Sequence, residues 1–368
     1  MTANLRHVAG SLLVVGLGGT ELTGLERAWL KLVRPAGIIL FRRNIADAKQ
    51  TRTLLREATA YCAENALRCV DVEGGTVDRL RDALAAMPSA QAVARAATAT
   101  GKKSLVREHG DLVARAVKAF GFNTTLAPVL DLALPASSLV LGTRAAAPTA
   151  TAVVAYARGF LAGLAAHGVV GCGKHFPGLG GGTLDSHLET PAIRRSYREL
   201  WQQDLVPYLE LRDELPMIMV NHAAYPDTAS GNRPASASPY WITTVLRKRI
   251  GYRGIIFSDD LEMGGILKFL PVDEAAVAAI RAGTDLLEIC HSPELILRAY
   301  EALVAEGERS VAFRKLLLTR ARHTERQRAK LFAHGTPAAL SANQFLALRN
   351  RISHFSETIA NAQEITTA

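Results

Sequence analysis

Short runs of β-branched and apolar residues alternate along this chain with longer stretches of helical spacing. The runs fall at residues 12–16, 37–41, 68–72, 125–130, 169–175, 217–221, 254–258 and 285–289. Residues 152–166 and 272–282 are representative helices between them. Alternation of this kind predicts a parallel sheet covered by helices. Eight strands is the number that closes a (β/α)8 barrel of the TIM type, whereas an open doubly wound sheet shares the alternation and differs in strand count. The expected architecture is a single α/β barrel domain over residues 8–333. A polar tail follows at residues 334–368, with Thr336-Pro337 as a break and residues 341–359 as one further helix packed outside the barrel.

Several runs end in polar residues: Asp71-Val72-Glu73, Asp131, Lys174-His175, Asn221-His222, Asp259-Asp260 and Glu288. In a parallel barrel all C-terminal strand ends share one rim, so these distant residues are expected to converge. The start of the chain has two readings. Arg6-His7 followed by apolar residues 8–17 mimics a short signal peptide, but the basic region is weak and Gly18-Gly19-Thr20-Glu21 is a poor cleavage site. A first barrel strand is the better reading. Gly16-Leu17-Gly18-Gly19 resembles a nucleotide loop, yet it lacks the GxGxxG spacing, and Thr20-Glu21-Leu22-Thr23 reads as an ordinary helix start.

Composition narrows the class. The chain has 368 residues, 49% apolar and 21% charged, which is ordinary for a globular enzyme-sized protein. The formal charge of +9 is spread over isolated residues and pairs such as Arg42-Arg43 and Lys248-Arg249, and only 6% of residues are aromatic. This is a solvated surface and argues against a nucleic-acid partner. No apolar run approaches the ~20 residues of a membrane helix. Cys62, Cys69, Cys172 and Cys290 form no CxxC pair and no ligand spacing, so neither a metal nor a cofactor is expected, and the chain suits a reducing compartment.

The chemistry concentrates in Lys174-His175-Phe176-Pro177-Gly178 and, after a glycine-rich stretch, Asp185-Ser186-His187. An acid and an imidazole two residues apart on a loop can transfer a proton as a unit. For each half alone, a satisfied strand end or a turn cap is the stronger reading. Together with the acidic strand tip Asp259-Asp260 they read as a site on a barrel rim.

These residues resemble glycoside hydrolase family 3, and within it the bacterial single-domain β-N-acetylhexosaminidases of cell-wall recycling. Gly254-Ile255-Ile256-Phe257-Ser258-Asp259-Asp260-Leu261, Pro35-Ala36-Gly37-Ile38-Ile39-Leu40-Phe41, Val70-Asp71-Val72-Glu73-Gly74-Gly75, Leu126-Ala127-Pro128-Val129-Leu130-Asp131 and Met219-Val220-Asn221-His222-Ala223-Ala224-Tyr225-Pro226 carry the likeness beside the two motifs above. The resemblance implies a barrel that releases terminal β-linked N-acetylglucosamine with retention, through a covalent glycosyl-enzyme. It implies Asp259 as nucleophile, and His187 and Asp185 as an acid/base dyad on a mobile loop. Gly178, Gly180, Gly181 and Gly182 read either as the hinges that let this loop swing or as a plain disordered connector. The resemblance also implies Asp71, Arg79, Lys174, His175 and Arg144 as sugar-binding residues. His222 is a candidate for the pocket wall, with a satisfied rim residue as its plain alternative, and Glu73 reads as a partner for rim arginines. Alternation along a strand leads us to expect only one of Asp259 and Asp260 to face the pocket.

The chain departs from the family where Leu179 stands for a histidine, where a glycine run replaces Gly-Asp-Thr, and where Ala145-Ala146-Ala147 follow Arg144. The expected partner is a small carbohydrate or muropeptide, with no nucleic acid and no membrane. The expected state is a cytoplasmic monomer. The competing activities are a β-glucosidase or a phosphate-dependent phosphorylase on the same site, an inactive sugar-binding protein, and a nicotinamide-dependent dehydrogenase resting on the Gly16–Gly19 region alone.

Overall fold

Eight parallel strands close into a barrel in chain order: β1 (Leu13–Gly16), β2 (Gly37–Leu40), β3 (Leu67–Val70), β4 (Thr124–Thr125), β5 (Val170–Phe176), β6 (Met217–Val220), β7 (Ile255–Asp260) and β8 (Leu286–Ile289). This computed structural model describes residues 4–182, 190–332 and 338–364. The seam is made by β1, which pairs with β2 at Val14↔Gly37 and with β8 at Leu13↔Leu287. Closure excludes the open doubly wound alternative. The segment that mimics a signal peptide forms a helix, Leu5–Gly10, and then β1 itself.

Alternation along the strands sorts their side chains into two separate cores. Val14, Ile39, Cys69, Cys172, Met217, Ile255, Phe257 and Leu286 pack together inside the barrel. Their neighbours Leu13, Val15, Ile38, Leu40, Val70, Ile256 and Leu287 pack outward against the helices. One strand is shorter than its sequence suggests. β4 ends at Thr125, and the chain beyond it follows β5 irregularly, with Val129 in an isolated bridge to Lys174. Pro128 lacks the N–H that a regular ladder needs there.

The glycine-rich turn after β1 is not a nucleotide cradle. The helix it leads to starts only at Gly24, under a capping box between Thr23 and Glu26. The other oxygen of Glu26 accepts the Gly18 N–H at 2.8 Å, so the chain's own carboxylate occupies the loop. A dehydrogenase reading therefore has no support here.

The tail helix, Ala342–Glu364, buries Leu348, Ile352, Phe355, Ile359 and Ala362 as a single stripe. That stripe lies on helices Ala90–Thr100 and Ser104–Ala119. Phe355 stacks on His109 with ring centroids 6.1 Å apart, and Phe345 meets Phe120 at 6.0 Å. Among the described residues, no helix is long and apolar enough to cross a membrane.

Candidate active site

The inward-facing set that fills the barrel continues upward, two residues further along each strand, into polar side chains. Cys69 is followed by Asp71, Cys172 by Lys174, Phe257 by Asp259 and Leu286 by Glu288. They form the floor of a cavity of about 460 Å³ at the C-terminal mouth, which Arg79, Arg144, His175 and Leu179 also line. Six of the residues picked from sequence thus share one cavity: Asp71, Arg79, Arg144, Lys174, His175 and Asp259.

A buried charge network forms one side. Lys174 Nζ lies 2.8 Å from Asp71 Oδ1 and 2.7 Å from Glu73 Oε1. Arg144 grips Glu73 with both Nε and Nη2 at 2.8 Å, in the forked geometry suited to a carboxylate. Arg79 Nη2 stands 3.6 Å from Asp71 Oδ2. Burial alone would raise both carboxyl groups. The charges of Lys174 and Arg79 on Asp71, and of Arg144 and Lys174 on Glu73, outweigh it and hold both acids below their usual values. Burial opposes the charge on Lys174 as well, and the same carboxylates overcome it and push the ammonium upward. Glu73 is the partner of a rim arginine, as its position suggested.

His175 is fixed from both sides. Its Nδ1 lies 2.6 Å from Asp131 Oδ2, and its Nε2 lies 3.3 Å from Arg144 Nη2. A guanidinium only donates, so Nε2 accepts and Nδ1 carries the proton that goes to Asp131. In this arrangement both ring nitrogens are engaged by protein partners. The contact with Arg144 steadies that side chain at the cavity wall. Asp131 also accepts the backbone N–H of Leu179 at 2.7 Å, tying the start of the following loop to the same carboxylate.

Both aspartates at the end of β7 line the cavity, contrary to the alternation argument. The ladder explains this. Phe257 pairs with Leu286 but Asp260 pairs with Glu288, so β7 holds one residue more than β8 over the same span. The bulge turns Asp260 back toward the mouth. Its Oδ1 accepts the Glu262 N–H at 3.0 Å, and burial pushes its carboxyl up to about 7. Asp259 Oδ1 accepts the Asp260 N–H at 3.0 Å.

His222 is not part of the pocket wall. It is fully buried, its Nε2 lies 2.9 Å from the Asp260 carbonyl oxygen and its Nδ1 2.7 Å from Ser236 Oγ. The carbonyl requires Nε2–H to donate, which leaves Nδ1 accepting from the serine. The ring anchors the bulge backbone from behind.

Asp185 and His187 lie outside the described residues. The loop's foot is described, and it is packed rather than loose. Gly178 has φ +136°, and a β-carbon there would sit 2.8 Å from the Asp204 β-carbon; at Gly180 it would sit 2.8 Å from the Leu132 carbonyl oxygen. These glycines answer close approach. Leu179, where a histidine was expected, is buried between them and closes part of the cavity.

Phe41, Arg43, Glu288 and His291 also line the cavity and were not picked from sequence as site residues. Phe41 stacks on His291 at 5.3 Å and carries the Arg43 guanidinium 4.8 Å from its ring centre. Asp260, Glu262 and His291 bring ligand-type atoms within 4.8 Å of one another. Glu262 is already committed to its loop, accepting the N–H groups of Cys290 at 3.0 Å and Ser292 at 2.7 Å.

Comparison with known proteins agrees with this geometry. Residues 5–320 match the model of the glycosyl hydrolase family 3 N terminal domain. A beta-hexosaminidase of Methylococcus capsulatus is 39% identical over 288 residues, 78% of this chain and 85% of that protein. One from Idiomarina loihiensis is 36% identical over 279 residues, 76% of this chain and 83% of that protein. Among solved structures, a family 3 β-N-acetylglucosaminidase from Paenibacillus sp. superposes with TM-score 0.85 at 30% identity, covering 96% of this chain and 69% of that one. NagZ from Neisseria gonorrhoeae in complex with N-trifluoroacetyl-D-glucosamine superposes with TM-score 0.77 at 28% identity, covering 94% and 98%. The barrel, its polar strand ends and these likenesses establish that the chain belongs to glycosyl hydrolase family 3.

Proposed function

We propose that the protein is a retaining β-N-acetylhexosaminidase that releases terminal β-linked N-acetylglucosamine from peptidoglycan-derived fragments in the cytoplasm. Residues 8–333 carry the activity and residues 334–368 form an accessory tail. The observation that carries the reading is the Asp259 carboxylate at the end of β7, facing a sugar-sized cavity whose far side is the Asp71–Lys174 pair. The beta-hexosaminidase relatives and the sugar-bound NagZ neighbour point the same way.

In this reading Asp259 attacks the anomeric carbon and forms a covalent glycosyl-enzyme. His187 donates its proton to the departing oxygen and then takes one from the incoming water, while Asp185 holds the imidazole tautomer and stabilises the imidazolium. Asp71 accepts from sugar hydroxyls. Lys174 donates with the hydrogen left over from its two carboxylate partners, and Arg144 and Arg79 complete the wall. The deciding assay compares hydrolysis of a chromogenic β-N-acetylglucosaminide and the matching β-glucoside, with and without phosphate. Preference for the first, unchanged by phosphate, supports the proposal. Equal specificity constants, or release of a sugar 1-phosphate, refute it.

A further inference from the structure

Glu288 is the floor residue that the proposed mechanism leaves without a task. Four inward strand-end acids and bases meet at the mouth: Asp71, Lys174, Asp259 and Glu288. The first two pair with each other and the third faces the reaction centre. Glu288 is 3% exposed and lines the same cavity. Its backbone is pinned, because the Glu288 N–H donates to Ser258 Oγ at 3.0 Å and its carbonyl accepts the Leu261 N–H at 2.9 Å. Its Oε1 receives the weak S–H donor of Cys290 at 3.1 Å. Its Oε2 is buried and has no hydrogen-bond partner.

A buried carboxyl oxygen without a partner is costly and needs a reason. Among the described residues no cation is paired with it, and Lys174 is spent on Asp71 and Glu73. Among the described residues, the charges that act most on Glu288 are acids, Asp260 and Asp259 from β7 and Asp71 from the end of β3, and the Cys69 and Cys172 thiols also lie near it. Burial first, and then those three charges, push its carboxyl well above the usual glutamate range. The shift favours the protonated form, in which one oxygen is an O–H donor and the other a carbonyl acceptor, on a residue that lines the cavity. A sugar hydroxyl accepts the one and donates to the other.

We propose that Glu288 is a glycone-binding, specificity-setting residue, whose free carboxyl oxygen hydrogen-bonds an oxygen of the terminal sugar on the cavity floor. The proposal rests on the glycosidase reading above and adds a sugar contact to it.

The test uses two variants of the full chain. Glu288→Gln keeps the size, one donor and one acceptor. Glu288→Leu keeps the bulk and removes both. Glu288→Gln is expected to stay within about threefold of wild type in kcat/KM, and Glu288→Leu to lose about 10- to 100-fold, mostly in KM. A panel of chromogenic glycosides, each lacking one ring hydroxyl or carrying fluorine in its place, locates the contact. One member is expected to be poor for the wild type yet no worse than its parent for Glu288→Leu.

Wild-type kinetics in Glu288→Leu, an equal loss in both variants, or an equal loss across the whole panel overturns the proposal and makes Glu288 a packing residue. Should Glu288→Leu fail to fold, Glu288→Met carries the same comparison. Wild-type protein that cleaves no β-N-acetylglucosaminide refutes the glycosidase reading instead. The Glu288 comparison is then made by calorimetry on a monosaccharide panel, where identical affinities in wild type and variant overturn it.

Discussion

Replacing Glu73 by glutamine removes one negative charge from the centre of the wall network, and the structure sets the size of the effect. The Glu73 side chain is 2% exposed and accepts two N–H bonds from Arg144 and one from Lys174, all at 2.7–2.8 Å. Every neighbour there is a donor. Glutamine offers one oxygen and turns its amide N–H2 against a cation, so at least one contact becomes repulsive, Lys174 keeps Asp71 as its one carboxylate, and Arg144 loses the carboxylate it grips. Breaking one partner out of a buried ion network costs about 3–5 kcal/mol. For a chain of 368 residues that corresponds to a fall of roughly 4–6 °C in melting temperature. The loss depends on pH in a defined sense. The Glu73 carboxyl is held below its ordinary 4.5, so its contribution is full above that value and is lost as pH falls through the lowered one. The gap between wild type and Glu73→Gln is therefore widest near neutrality and narrows in acid. Urea denaturation at neutral and acidic pH measures it, with KM recorded in parallel and expected to rise as Arg144 and Lys174 lose alignment. A melting temperature within about 1 °C of wild type at neutral pH, or a gap that widens in acid, refutes the reasoning.

Asp259→Ala is expected to abolish turnover while leaving the melting temperature nearly unchanged, and a 2-fluoro sugar is expected to label a peptide at Asp259; peptide mapping that finds the label on Asp260 reverses the assignment. Asp185→Ala and His187→Ala are each expected to cost a large factor in kcat and the double variant little more, because members of a catalytic unit do not add; multiplicative losses in a double-mutant cycle count against a dyad. The Asp260 carboxyl is raised from 3.8 to about 7, so its favourable contribution is present below the lower value and is lost as pH climbs through the upper one. Asp260→Asn is expected to gain stability over wild type across that window, by at most about 4 kcal/mol, and then to level off; a constant difference from acid to alkaline pH, read by chemical denaturation, disproves the shift.

The barrel was legible because its strands are buried on both faces and read as unbroken apolar runs. Asp71, Lys174 and Asp259 stood out for the same reason, as polar residues ending such runs. What pattern alone could not supply was local backbone irregularity. A strict two-residue period put Asp260 on the wrong side, since a bulge leaves no mark in composition. It also overextended β4, although Pro128 was a readable warning. His222 and His175 are a second kind of limit. Both are polar residues at strand ends, yet their partners Ser236, Asp131 and Arg144 come from distant segments, and only those contacts decide where their protons go. Glu288 is legible as a polar strand end, and counting in steps of two from Leu286 aims it at the cavity beside Asp259.

The tail helix sets the order in which this molecule can be finished on the ribosome. Helices Ala90–Thr100 and Ser104–Ala119 emerge early, and their outer flank presents His109, Phe120 and their apolar neighbours to solvent. The stripe that covers them, from Phe345 through Phe355 to Ile359, follows β8 in the chain and is synthesised after every strand of the barrel. A nascent chain with a complete barrel and a formed sugar cavity thus still carries an open greasy seam, of the kind that recruits chaperones or other unfinished chains. Truncation before Ala342 is therefore expected to raise aggregation during expression, although no described residue of Ala342–Glu364 lines the sugar cavity.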